Sequence, residues 1–440
     1  MNRVRDALLA ALGRRTFLQA VAAVGVGGAA AGAVGAPAAA RSKPAGILQP
    51  GKGPIRGRHY LRSRPDQVRW GYVPSTGSTP VLRMRSGETV TVDTVSHEGI
   101  LEDQGRDPIA WFGARGVKRG DVLTDAVDIA RTYARTTRDF DVDGPHVVTG
   151  PIHVDGAEPG DVLKVDMIEA LPRVPYGVIS SRHGKGALPR LAGGAVPAGI
   201  AEPEIMPPVA TDGRPTGDPR RYGNVSVFTP VRTGRGGALT GVLPRGRKQV
   251  TFPLNPFMGM MGVAFADAPA LTDPSLNSIP PTLGGGNIDI NLLTTGSTFY
   301  LPVFAEGALF YAGDPHMAMG NGEVALTAME GSLRATYRLT VIKKKGAPSV
   351  AFRYPFAETP DAWVPIGLSD PDGSLGGGQG TDLDVAMRRA VVNALDFLEH
   401  DLGMNRAIAY AYLSAAADFH VSQVVDRTVG VHAVIPKTHF

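Results

Sequence analysis

The 440-residue chain has no cysteine, which removes a disulfide scaffold, a thiol nucleophile and thiolate-bound zinc from its repertoire. Covalent hydrolytic chemistry would therefore fall to Ser, Thr or Lys. Long basic runs are missing too. The formal charge is +4, but Arg3, Arg5, Arg14 and Arg15 against Asp6 place most of it in the first segment, and the remainder is close to neutral. Such a chain lacks the basic footprint of a nucleic-acid binder, and Lys343-Lys344-Lys345 reads as the end of a strand. The sequence contains no HExxH zinc motif, EF-hand loop, GxSxG elbow, P-loop or dinucleotide fingerprint.

What is present begins with "GRRTFLQAVAAVGVGGAAAGAVGAPAAA": a twin arginine, Arg14-Arg15, then Phe17-Leu18, and no charged residue from Thr16 to Ala40. Ala38-Ala39-Ala40 offers a small-residue cleavage site. The pattern is that of a twin-arginine export signal, so residues 1–40 are set apart from the fold and a periplasmic or secreted location is expected. That route carries folded proteins, often already loaded with a cofactor. After cleavage no stable membrane span is expected, because nothing later in the sequence resembles one.

Glycine and proline, 56 and 36 residues, make up about a fifth of the chain against an average of about 12%. This favours short strands joined by tight turns. Residues 41–65 are basic, Pro/Gly-rich and aperiodic, as in a linker or extended arm. Residues 66–340 carry a series of alternating runs and are expected to form a β-rich core. The first of these, "PVLRMRSGETVTVDTV", reads as a hairpin turning at Ser86-Gly87. Residues 178–223 form a long Pro/Gly-rich excursion, the kind of loop that tends to be functional. Ser180-Ser181 near Lys185 fits a Ser-Lys nucleophile only weakly, since the glycine-rich setting of such serines is missing. The first convincing helix comes late: Leu383, Met387, Ala390, Val391, Ala394, Leu395 and Leu398 share one face, with Thr381 or Asp382 as cap and Gly403 as stop. A second helix is expected from an Asn405 cap through Ala417, and residues 341–440 read as an α+β part completing the fold.

Two clusters carry chemistry. Between Asn287 and Glu323, "GGGNIDINLL" presents Asp289 after a triple glycine, and "FAEGALFYAGDPHMAMGNGEV" adds Glu306, Asp314, His316 and Glu323. Carboxylates and an imidazole on glycine-rich turns are N/O donors suited to zinc, manganese or calcium. A solvated hairpin loop whose acids cap backbone N–H groups has the same spacing, so both readings stand. The second cluster, "HVVTGPIHVDGAEPGD", holds His146, His153, Asp155, Glu158 and Asp161. There Asp161 suits a turn, Glu158 sits at its tip, and His146 and His153 fit core or surface positions at least as well as ligand positions.

Taken in order, "TGPIHVDGAEPGDVLKV", "NPFMGMMGVA", "GGGNIDINLL", "LPVFAEGALFYAGDPHMAMGNGEVALTAME" and "VSQVVDRTVGVHAVIPK" resemble the acetamidase/formamidase family over roughly Val81 to Lys437. The resemblance implies a mainly β fold, with sandwich or barrel-like parts and a smaller C-terminal α+β element. It also implies hydrolysis of short amides to acid and ammonia, a bound divalent metal with zinc foremost and calcium or manganese open, and a homo-oligomer. Residue by residue it implies Asp289, Asp314 and His316 as metal ligands, and Glu158, Glu323 and His316 as catalytic groups. Met258, Met260, Met261 and Phe257 would line a small acyl pocket, unless they are plain core. The sequence departs from the pattern at Asn321, where the family has Asp. That departure motivates the alternative of a non-catalytic, exported protein binding a small ligand or calcium on the same scaffold.

Overall fold

The structure is a computed structural model describing residues 46–182, 185–189, 195–206, 224–234, 237–374 and 381–440. The expected export signal and residues 207–223 of the excursion lie outside the described residues. The fold is mainly β. Its strands form one nine-stranded sheet and one eleven-stranded sheet. Both feed the main apolar core: Phe299, Leu339 and Phe356 come from the first, and Met258, Phe310 and Met317 from the second.

The longest ladder of the nine-stranded sheet joins Leu333–Ile342 to Val162–Pro172. Strands Phe356–Glu358, Ala362–Leu368, Gly430–Pro436 and Asp418–Gln423 continue the same sheet, so the C-terminal strands complete it rather than form one of their own. Within the expected arm, His59–Leu61 pairs parallel with Thr89–Asp93 at one edge. Leu48 is buried there, and its carbonyl accepts from the Arg173 side chain.

The hairpin expected around Ser86-Gly87 does not form. Gly87, at φ +86, makes the turn, but Leu82–Arg85 runs parallel to Val147–Asp155 in one sheet while Thr89–Asp93 pairs with Leu333–Ile342 in the other. The Gly87 N–H donates to Leu339 O. Alternation identified both strands but could not say with which partner each would pair.

Two helices, Pro108–Gly113 and Thr124–Thr132, precede the one expected first. Both are short, six and nine residues, which leaves a periodic pattern little length in which to show. The later helices match their caps: Asp382 accepts from Asp384 N and Val385 N at the start of Leu383–His400, and Asn405 from Ala407 N and Ile408 N before Arg406–Ala416. The buried face of Leu383–His400 starts at Ala386 and includes Asn393, which donates to Ile366 O, while Leu383 and Met387 are exposed. No helix among the described residues is long and apolar enough to cross a membrane.

Candidate active site

The strand Phe310–Ala318 lies between Phe257–Gly262 and Val147–Asp155 and carries Asp314 and His316 two residues apart, so both project from one face. Gly259 lies in the neighbouring strand beside them. A Cβ there would collide with Asp289 Oδ1 and come within 2.6 Å of His316 Cε1, so glycine leaves the space in which these groups converge. The Gly259 carbonyl also accepts from Ile288 N and Asp289 N, at 3.1 and 3.2 Å, fixing Asp289 against the strand. Asp289, Asp314 and Glu323 all have left-handed backbones, with φ of 46°, 50° and 45°. Such conformations cost free energy outside glycine and tend to gather at functional sites.

Three imidazoles surround Asp314. His97 Nδ1 lies 3.6 Å and His146 Nε2 3.7 Å from Asp314 Oδ1, while His316 Nε2 is 2.9 Å from Oδ2. Each carboxylate oxygen therefore faces a different ligand group. His316 Nε2 is also 3.1 Å from Glu330 Oε1 and 3.9 Å from Glu323 Oε1, and His316 Nδ1 is 3.7 Å from Asp289 Oδ1. Outer partners orient two of the rings. His146 Nδ1 shares a 3.0 Å hydrogen bond with Ser278 Oγ, and His97 Nε2 faces Glu98 at 3.6 Å. Asp426 completes the cluster from a loop in which Gln423 Oε1 accepts from Val425 N and Asp426 N.

All these groups are buried, and burial shapes their ionisation. It draws His97 down to about 3 and lowers His146 as well, leaving both rings neutral. Burial raises Asp289, Glu323 and Asp426, and each is raised further by the like charge of a neighbouring carboxylate. Glu330 is pushed to about 8, mainly by burial. For Asp314 burial acts in the same direction, but His316, His146 and His97 outweigh it and hold the carboxyl low. His316 is the converse: Glu330 and Asp314 overcome its burial and hold it protonated.

A divalent cation fits this donor set. Asp289 Oδ1 and Oδ2, Asp314 Oδ1, His97 Nδ1, Glu323 Oε2, Glu330 Oε2 and His316 Nδ1 are buried without a hydrogen-bond partner. Orphaned charges of this kind are costly unless something pairs with them. The potential ligand groups are His97/His146/Asp314, Asp289/His316/Glu323 and Asp314/His316/Glu330, each with one ligand atom per residue within 4.8 Å of the others. Neutral imidazole and carboxylate are the forms that bind metals; His97, His146 and Asp314 are already in those forms, whereas a cation on the other two groups would displace the His316 proton.

The cluster forms part of the wall of a cavity of about 720 Å3, where His97, His146, Asp289, Asp314, Glu323, Glu330 and Asp426 are exposed to the interior. Of the residues singled out from the sequence, His146, Asp289, Asp314, His316 and Glu323 come together. Glu158 does not join them: its side chain is 73% exposed and its Oε2 lies 2.9 Å from Lys343 Nζ. His153 is buried against Gly307, outside the cluster, and Glu306 and Asn321 are exposed. Phe257, Met258, Met260 and Met261 are fully buried core residues that do not line the cavity. Ser180 Oγ donates to Ser226 Oγ, 2.9 Å away.

His97, Glu330 and Asp426 are the members that sequence reasoning passed over, and His146 is one it weighed as a ligand without preferring that to a core or surface position. His97-Glu98 comes just beyond the strand Thr89–Asp93, after Thr94, Val95 and Ser96, and two ionisable residues closing a run that reads as a strand are a usable signal. Glu330 and Asp426 stand in apolar runs with no local motif around them.

The sequence profile of the Acetamidase/Formamidase family matches residues 121–268 and 243–440. An acetamidase from Mycolicibacterium smegmatis is 28% identical over 225 residues, covering 43% of this chain and 52% of that protein. A formamidase from Methylophilus methylotrophus is 27% identical over 328 residues, covering 67% and 76%. The chain thus spans about half the length of the first relative and about three quarters of the second. A crystal structure of an acetamidase from Bacillus halodurans matches the fold with a TM-score of 0.59 at 22% identity, over 87% of this chain and 98% of that one. The profile match covers well over half of the chain, and the chain therefore belongs to the Acetamidase/Formamidase family.

Proposed function

We propose that this protein hydrolyses short carboxylic amides to the acid and ammonia, with a divalent cation held in the buried cluster. The observation that carries the reading is the convergence of five carboxylates and two imidazoles on the wall of one cavity, with orphaned ligand atoms and a third imidazole, His316, buried behind them, in a chain of this family. His97, His146 and Asp314 would hold the cation, and Asp289, His316 and Glu323 supply a second set of donors. Mixed imidazole and carboxylate donors place zinc first, ahead of manganese, and disfavour calcium, which takes all-oxygen shells. When bound, such a cation polarises an amide carbonyl and acidifies water.

The remaining work falls to side chains. The nucleophilic water must lose a proton, and the nitrogen must gain one to leave as an amine. Glu330, drawn to about 8, sits closer to neutral pH than an ordinary carboxyl and is suited to both transfers. Glu323, also raised and on the cavity wall, is the second candidate. His316 fixes Glu330 and Asp314 in place at 3.1 and 2.9 Å. Glu158 has no part in this reading. Nor does Asn321, whose departure from the family pattern lies on an exposed turn that does not line the cavity.

The test is ammonia release from formamide, acetamide and propionamide, before and after chelation and with Zn, Mn or Ca restored. Release that disappears with the chelator and returns with one metal supports the proposal; no release with any metal from folded protein overturns it. Two further proposals accompany it: export by the twin-arginine route, resting on Arg14-Arg15 and the uncharged run to Ala40, and self-association, resting on the family. Fractionation of cells and light scattering of the purified chain test them.

A further inference from the structure

The cavity is far larger than a short amide needs. Acetamide fills a few water volumes, on the order of 100 Å3 at about 30 Å3 each, against about 720 Å3 here. Sites of about 300–1,000 Å3 are the size that encloses ligands much larger than acetamide. Beyond the acid and imidazole cluster, the wall is apolar at Leu101, Phe140, Ile279 and Val425, with arginines between.

Two of those arginines are occupied by the protein itself. Arg138 donates to Glu102 and to the carbonyls of Trp70 and Gly144. Arg182 binds Glu98 and Asp103. Arg427 differs: it lines the cavity, it is partly buried, and among the described residues its side chain makes no hydrogen bond or close ion pair, with only the charge of the adjacent Asp426 acting on it. Its backbone is left-handed, at φ 65°. The loop carrying it is pinned by the fully buried Gln423, which accepts from Val425 N and Asp426 N and donates to Thr428 O at 2.8 Å. A guanidinium on a fixed loop, lining a cavity and with no hydrogen-bonded partner of its own, is a preorganised fork for a carboxylate.

We infer that the substrate is a monoamide of a dicarboxylic acid, its amide at the buried cluster, its methylene chain along the apolar wall and its free carboxylate on Arg427. The inference rests on the hydrolase reading above and specifies the substrate for that same site. The reaction balances without a further reactant: the water oxygen forms the new C–O bond, the C–N bond breaks, and both water protons leave on nitrogen. The products are ammonium and a dicarboxylate.

The experiment compares kcat/KM for the metal-loaded protein on succinamate, glutaramate and adipamate with butyramide, valeramide and hexanamide, neutral amides of matching chain length. At one chain length the acidic amide should be preferred by about tenfold or more, the worth of a charged hydrogen-bonded pair. That preference should collapse toward unity in Arg427→Gln and return in part in Arg427→Lys. Equal rates for acidic and neutral amides at every length, with acetamide still turned over, would overturn the inference and leave the hydrolase reading standing. If no amide is hydrolysed, the hydrolase reading fails. Calorimetric binding of adipamate against hexanamide then decides the pocket separately: tighter binding of adipamate that Arg427→Gln removes supports the carboxylate seat, and equal or absent binding refutes it.

Discussion

Two acid-bearing stretches, the turn around Gly156–Asp161 and the strand Phe310–Ala318, look equally promising in sequence and differ entirely in their surroundings. In the turn, Asp161 accepts from Glu158 N at 2.8 Å, and Lys343 lies 2.7 and 2.9 Å from the two carboxylates. Every charge there has a cation, a backbone N–H or water. Along the strand, Asp314 and His316 sit among Asp289, Glu323, Glu330 and Asp426, all buried, and most of their ligand atoms have no hydrogen-bond partner. Acid density marks both stretches; withdrawal from water without compensation marks only one.

The sharpest way to break this contrast is Asp314→Ala. Asp314 belongs to two of the three buried ligand groups, so turnover should fall below detection and bound metal should drop in elemental analysis, while circular dichroism stays native. Glu330→Gln comes next. Loss of a proton-transferring side chain costs about 10²–10⁴-fold in rate, and the pH profile should lose its acidic limb. The sign follows from the role: Glu330 acting as base must be ionised, so kcat/KM rises with pH through its pKa. That pKa is raised to about 8 by burial, and a bound cation favours the carboxylate, so the limb should fall between the ordinary carboxyl range and 8.

Gly259→Ala makes a smaller, purely geometric intrusion. Its methyl enters the space shared by Asp289 and His316, and displacement of the ligands should cost about 10²-fold in kcat/KM. Metal affinity, read by chelator competition, should weaken in parallel. The smallest effect belongs to the other stretch: Glu158→Gln should leave kcat/KM within about twofold, since only an exposed pair with Lys343 is lost. A loss comparable to that of Glu330→Gln would return Glu158 to the reaction.

Much of the fold could be read from local pattern. The alternation in "DVLKVDMIEALP" marks the strand Val162–Pro172, and Asp382 and Asn405 announce helix starts that the structure places within a residue. Partners were not legible. Leu82–Arg85 and Thr89–Asp93 join different sheets because register and pairing depend on which apolar faces meet far away in sequence. The site divides in the same way. Asp289, Asp314, His316 and Glu323 stand beside glycines that draw attention in the sequence, although the structure puts Asp314 and His316 in a strand and not on the expected turn, whereas Glu330 and Asp426 are single acids in apolar runs. His97 and Asp426 reach one cluster from opposite ends of the chain, and no spacing rule connects residues so far apart.

On the reading proposed above, the buried cluster, and not the exposed turn, takes the cation. Anomalous X-ray diffraction at the zinc edge, from crystals of the zinc-loaded protein, tests it most directly. The prediction is scattering density enclosed by His97, His146 and Asp314, or by the adjoining Asp289, His316 and Glu323 group. A cluster without density in crystals of fully active protein, or density only at Glu158 and Asp161, would contradict it.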